Sequence, residues 1–132
     1  MGSSQRPKPN RRGQIGQLGE EIAAAQCKEL GWTVLERNWR NRYGELDIIA
    51  ADGAGLIVVE VKTRSTDKFG DAAQAVTAAK LSRMRKLTRM WLAAQDRHWT
   101  SIRFDVIAVQ LNLSAPPDGH PVEIRHHRGV YV

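Results

Sequence analysis

The 132-residue chain reads as an α/β protein in which helices pack on a central mixed sheet. Three observations carry this. Apolar spacing runs in the order helix, three strands, helix, strand, which one sheet flanked by helices accommodates. The stretch "DGAG" at residues 52–55 joins two β-branched runs as a hairpin turn does. The glycine signatures of two rival α/β folds, the dinucleotide-binding unit and the phosphate loop, are missing. A mass of 14.8 kDa suffices for one hydrophobic core and not for two ordinary domains. Residues 14–132 are therefore expected to form a single domain. Residues 1–13, polar, basic and broken by Pro7 and Pro9, read as a flexible tail.

From Gln14 to Leu30, an apolar ridge of Ile15, Leu18, Ile22 and Ala25 recurs at three- and four-residue spacing, and Gly31 follows where a helix ends. A second face of this helix carries Gly16, Glu20, Ala23, Ala24 and Cys27, a small-residue stripe that lets another element come close. Glu20 is the only charge in it. "WTVLER", "ELDIIAA" and "LIVVEVKTR" are short and rich in β-branched residues, which predicts three consecutive strands. Residues 71–95 lack Gly and Pro, and Val76, Met84, Leu87, Trp91 and Ala94 keep helical spacing. This is a second helix, with Arg85, Lys86 and Arg89 on other faces. "SIRFDVIAVQL" alternates as a fourth strand, and "VEIRHHRGVYV" adds a short edge strand or a tail.

Twenty Lys and Arg against fourteen Asp and Glu give a formal charge of +6 and a pI near 10.0, a balance that favours a polyanionic partner. No run approaches the roughly 18 consecutive apolar residues of a membrane helix, and the N-terminal stretch lacks the apolar core of a secretory signal. The expectation is a soluble, cytoplasmic protein with no membrane partner. The single Cys27 has no partner for an intrachain disulfide or a cysteine zinc site, and reads as a small core residue.

The two runs of the hairpin carry charges where a buried strand carries none. Strand side chains alternate faces, so Glu45 and Asp47 share one face while Val58, Glu60, Lys62 and Arg64 share one face of the next strand. If the hairpin aligns them, a carboxylate pair meets beside an ammonium. Two carboxylates that close raise each other's pKa unless a cation sits between them, and hard oxygen donors suit Mg²⁺ or Mn²⁺. Such a cation lowers the pKa of a water and neutralises charge at phosphorus, while a neighbouring lysine stabilises the transition state. These are the requirements of phosphodiester hydrolysis. The plainer alternative is an acid and a lysine forming a solvated surface pair, worth about 0–1 kcal/mol. Against it, "IVVEVK" is otherwise an apolar run of the kind buried on both faces, where lone charges are rare unless functional or paired.

A helix with an acidic residue, then Asp, then E-x-K on the paired strand resembles the PD-(D/E)xK nuclease superfamily with its restriction-endonuclease-like fold. More narrowly, "GQLGEEIAA", "GELDIIA", "VVEVKTR", "AVTAAKLSRM" and "RFDVIAV", in that order across residues 14 to 111, resemble the YraN family of bacterial proteins, itself similar to archaeal Holliday junction resolvases. The resemblance implies a three-layer sandwich, a central mixed sheet flanked by helices. It implies Asp47 and Glu60 as metal ligands, Lys62 as the catalytic lysine, Glu20 as a further ligand through water, and Val61 as a carbonyl ligand. The implied cofactor is Mg²⁺ or Mn²⁺ and the implied substrate is DNA, branched DNA among the candidates. Symmetric junction cutting would need two active sites, hence a homodimer. Two departures stand out: Leu46 replaces the Pro before Asp47, and Glu45 is an extra acid, open as ligand, base or structural group. Glu21 competes with Glu20 but lies about 100° further round the helix, on the ridge's side.

Further residues are accessory candidates. Lys80 falls on the sheet-facing side of the second helix, where a phosphate contact and snorkelling to solvent are equally open. Gln74 is either an accessory polar group or an ordinary helix residue. Arg37, Arg40 and Arg42 precede the strand bearing Asp47, and Arg64 follows Lys62, so these could hold a phosphate backbone. Trp39, amid "RNWRNR", is a candidate for exposure beside nucleic acid, and Trp91 for the core. Asp105 is expected to pair structurally with an arginine such as Arg103 or Arg64, and His126 and His127 to lie on the surface. Two function classes follow: a metal-dependent DNA endonuclease, or a nucleic-acid-binding module that cleaves weakly or not at all.

Overall fold

The computed structural model describes residues 11–65, 76–112 and 121–130. Within these, helix α1 (Arg11–Glu29) leads into strands β1 (Thr33–Asn41), β2 (Gly44–Asp52) and β3 (Gly55–Arg64). Helix α2 (Ala78–Ala93), strand β4 (Ser101–Leu111) and strand β5 (Val122–His127) follow. The five strands form one mixed sheet in the order β1-β2-β3-β4-β5. β3 and β4 are parallel and every other neighbouring pair is antiparallel. The parallel pair needs a crossover, which α2 supplies. The last segment is a strand: β5 pairs with β4 from Leu111↔Val122 to Val106↔His127.

Adjacent residues of β3 show the layering, because Val59 packs with Ala23, Ala24 and Cys27 of α1 while Val58 packs with Met84, Leu87 and Trp91 of α2. The sheet is therefore covered on both faces, and the fold is an α/β three-layer sandwich. This explains why β3 reads as a nearly continuous apolar run. α1 opens at Arg11, inside the stretch read as tail, and α2 opens at Ala78 with Thr77 as its N-cap, accepting from the Lys80 N–H at 3.1 Å. Residues 71–75 of the expected helix, Gln74 among them, lie outside the described residues. β1 runs on through Asn41, so "RNWRN" is the second half of the strand that precedes the one bearing Asp47.

The small-residue stripe, not the apolar ridge, turns α1 to the sheet. Ala23, Ala24 and Cys27 are buried, Ile15 and Ile22 only partly so, and Leu18 is 43% exposed. Small residues win because α1 lies close to the strands. A Cβ built on Gly19 would stand 1.9 Å from Thr63 Oγ1 of β3. Gly31 closes the helix at φ +85° while the Trp32 N–H returns to the Cys27 carbonyl at 3.0 Å.

Gly19→Ala in an exposed helix would stabilise by about 1 kcal/mol. Here the methyl must displace Thr63, and the variant is expected to lose about 1–3 kcal/mol instead. Thermal melts of the single variants and of Gly19→Ala/Thr63→Ala should reveal favourable coupling, with part of the loss recovered in the double variant.

Candidate active site

The ladder between β2 and β3 ends at Ile48↔Val59. Beyond it the strands splay, and the Val61 N–H donates to Asp47 Oδ2 at 2.9 Å. A second irregularity sits alongside, since β1 pairs Arg37↔Ile48 and then Trp39↔Leu46, skipping Asn38 and Asp47. Asn38 is in the left-handed region at φ +52°, a conformation Asn tolerates better than most residues. The strand turns over at this point. Ile48 packs in the α1-side core, yet Leu46, two residues away, packs with Trp39 in the α2-side core. Strict alternation would have put Leu46 beside Ile48. The turnover swings Glu45 and Asp47 toward Glu20 of α1.

One carboxylate oxygen from each of Glu20, Glu45 and Asp47 consequently lies within 4.8 Å of the other two. Opposite oxygens around Mg²⁺ stand about 4.2 Å apart, twice the usual bond length, so these hard donors suit such a cation with small inward movements. Glu60 lies outside that triad and is hydrogen-bonded to Asp47. Its Oε2 meets Lys80 Nζ of α2 at 2.7 Å. Lys80 is thus a salt-bridge partner within the site rather than a side chain snorkelling freely to solvent. Lys62 stands beside Lys80 and lines, with Glu20, Val61 and Ser65, a cleft of about 630 Å³. Val61, implied as a carbonyl ligand, meets Asp47 through its N–H. Glu45 is braced by Arg40 at 2.6 Å, and Glu21 is exposed away from the cluster.

Burial, followed by the hydrogen bond and charge of Glu60, pushes the Asp47 carboxyl from 3.8 up to about 8. Burial pushes Glu60 the same way, but hydrogen bonds from Asp47 and Lys80 outweigh it and hold Glu60 below its ordinary value. The two acids therefore hold one proton between them near neutrality. Burial and then the Lys80 charge hold Lys62 below its ordinary value. Burial would lower Lys80 as well, but its hydrogen bond to Glu60 outweighs it and raises the group.

Residues 19–109 match the uncharacterised protein family UPF0102. The chain belongs to UPF0102. UPF0102 proteins of Mycolicibacterium vanbaalenii and Mycobacterium marinum are 50% and 49% identical to it over 119 and 121 residues. These alignments span 90% of this chain and 94% and 95% of the relatives. A third, from Mycolicibacterium smegmatis, is 54% identical over 121 residues, 90% of this chain and 94% of the relative. The matched residues include Glu20, Glu45, Asp47, Glu60, Lys62 and Lys80 of this chain.

Other readings change with the coordinates. Of the basic residues, Arg40 reaches the cluster, while Arg37 and Arg64 are exposed on β1 and at the end of β3. Arg42 turns to Tyr43, donating to its phenol oxygen at 2.6 Å. Trp39 is half-buried against the α2-side core and Trp91 is 3% exposed in it. The exposed aromatic near the site is Tyr43, which strand alternation could not distinguish from a hairpin-turn residue of no consequence. Asp105 is fully buried, bound by Arg103 at 2.8 and 2.9 Å, by the Gly129 N–H at 3.0 Å and by His126 Nε2 at 2.8 Å. It is a structural clasp between β4 and the chain after β5. His126 is therefore held inward, not a surface residue, because Asp105 offers it an acceptor. Among the described residues no helix is long and apolar enough to cross a membrane.

The folded value of Asp47 lies above its unfolded one, so its contribution favours the fold at low pH and is lost as pH rises through about 8. Glu60 has the opposite sign, but its change falls below its ordinary value of 4.5 and does not enter the neutral range. Asp47→Asn keeps an acceptor for Val61 and a donor for Glu60 without the titration. In EDTA the wild type should lose melting temperature between pH 6 and 9 relative to Asp47→Asn, and should be the less stable of the two at pH 9.

Proposed function

We propose that the chain is a Mg²⁺- or Mn²⁺-dependent endonuclease that hydrolyses phosphodiester bonds in DNA, with branched DNA such as a four-way junction as a substrate class. The observation that carries this reading is the convergence of Glu20, Glu45 and Asp47 around one point, with Glu60 and Lys62 beside it at the splayed end of β2 and β3. A divalent cation held by those carboxylates would supply an activated water and offset charge developing at phosphorus. The protein's own groups do the rest. Val61 fixes Asp47 through its N–H to Oδ2. Lys80 keeps Glu60 anionic and aimed at Asp47. Lys62 faces the cleft beside Glu20, where it can donate to a phosphate oxygen as negative charge builds there. The formal charge of +6 supports a polyanionic substrate, and exposed Arg37, Arg42 and Arg64 are available to its backbone. A homodimer would supply the second site that symmetric cutting needs.

One observation favours a second reading, a nucleic-acid-binding module with little cleavage: two of the four acids are already balanced, Glu45 by Arg40 and Glu60 by Lys80. Labelled linear, flapped and four-way DNA with Mg²⁺ or Mn²⁺ separates the two. The nuclease reading expects cleavage that Lys62→Ala lowers by about 100-fold or more, with the DNA Kd nearly unchanged because the lysine acts on the transition state. Binding by the wild type with no cleavage under either metal would leave the binding module. Cleavage by Lys62→Ala at the wild-type rate would remove Lys62 from the site.

A further inference from the structure

The turn between β1 and β2 carries an arrangement that the carboxylate chemistry does not use. Tyr43, 42% exposed, sits at its tip. The turn is not loose. The Tyr43 N–H donates to Asn41 Oδ1 at 2.8 Å, and a Cβ at Gly44 would meet Leu87 at 3.1 Å and Arg83 at 3.5 Å, both from α2. Three cations from two elements gather at this tip. Arg42 bonds the phenol oxygen with its guanidinium carbon 4.8 Å from the ring centroid, Lys86 Nζ stands 4.5 Å from the centroid, and Arg83 packs on Gly44. The acid nearest in sequence, Glu45, is engaged by Arg40. Ring contacts offset only part of the repulsion among cations, since each exposed cation–π contact is weak.

We infer that Tyr43 is a stacking platform for one unpaired base, with Arg42, Lys86 and Arg83 holding the flanking phosphates, so that the site selects DNA carrying an unpaired nucleotide. The inference rests on the nucleic-acid reading above and adds what that reading lacks, a means of choosing the substrate. An exposed aromatic ringed by cations is the composition of a single-strand groove, the ring taking a base and the cations the backbone. A base within a duplex is stacked on both sides and offers no free face, whereas one at a gap, flap or junction does. The platform is also in the right place. Tyr43 is two residues from Glu45, whose carboxylate belongs to the cluster, so the platform adjoins the acids of the proposed site.

The test uses the full chain in EDTA, so that nothing is cut, with a labelled blunt duplex and the same duplex carrying a short single-stranded gap. The wild type should bind the gapped DNA about 5- to 150-fold more tightly, the range for one stacked base. Tyr43→Ala should erase that preference with the duplex Kd unchanged, and Tyr43→Phe should keep it. A 2-aminopurine placed in the gap should be quenched by the wild type and by Tyr43→Phe but not by Tyr43→Ala. Equal affinity for both DNAs in the wild type, or a preference that survives Tyr43→Ala, overturns the inference while leaving the nuclease reading intact. Failure to bind either DNA at low salt overturns both.

Discussion

The hydrogen bond from the Val61 N–H to Asp47 is the contact on which the site depends. It exists because the β2–β3 ladder stops at Ile48↔Val59, leaving a backbone donor on β3 that a side chain must satisfy. A carboxylate that takes this donor is committed to the end of the sheet, half-buried and beside Glu60. The cost is electrostatic: burial and a neighbouring acid force a proton onto Asp47 near neutrality. A structural role alone would be served as well by Asn, which accepts the same hydrogen bond without charge. Under the proposed function, a cation bound at the cluster would relieve this repulsion.

Both helices reach that point for reasons visible in their packing. α1 brings Glu20 into reach because Gly19 allows the helix onto Thr63 and because the stripe of Ala23, Ala24 and Cys27 is small enough to follow it down. α2 answers from the other face. Leu81, Met84, Leu87 and Trp91 seat it on the sheet, and Lys80, one turn before Met84, falls on Glu60. Two ion pairs, Arg40 with Glu45 and Glu60 with Lys80, flank Asp47, which is hydrogen-bonded to Glu60, and Lys62 stands beside Lys80. Neutralisation is therefore local, and the triad of Glu20, Glu45 and Asp47 keeps a surplus of carboxylate.

Much of this was legible because strands and helices impose fixed periods on side chains. The order of elements, the hairpin at 52–55, the helix stop at Gly31 and the convergence of Asp47 with Glu60 all follow from periodicity and turn chemistry. Three things were not. The face that α1 buries is decided by how closely the helix approaches, and close approach favours Ala and Cys over Leu18, which hydrophobicity alone ranks first. The turnover of β2 at Asp47 lies across from Asn38, which adopts positive φ on the neighbouring strand, a non-local feature that alternation cannot register. It is why Glu45, open between roles on sequence, joins the triad while Glu60 goes to Lys80. The inward turn of His126 likewise depends on Asp105, a residue on a different strand.

The most direct measurement is calorimetric titration of the full chain with Mn²⁺ near pH 7, repeated in buffers of different ionisation enthalpy to count released protons. If the carboxylate cluster is a divalent-metal site, one Mn²⁺ binds per chain and displaces the proton held on Asp47. Glu20→Gln and Glu45→Gln should then weaken binding, and Asp47→Asn should bind weakly with no proton released. A wild type that takes up no Mn²⁺, or binds it with an affinity and proton count indifferent to all three substitutions, would contradict the account.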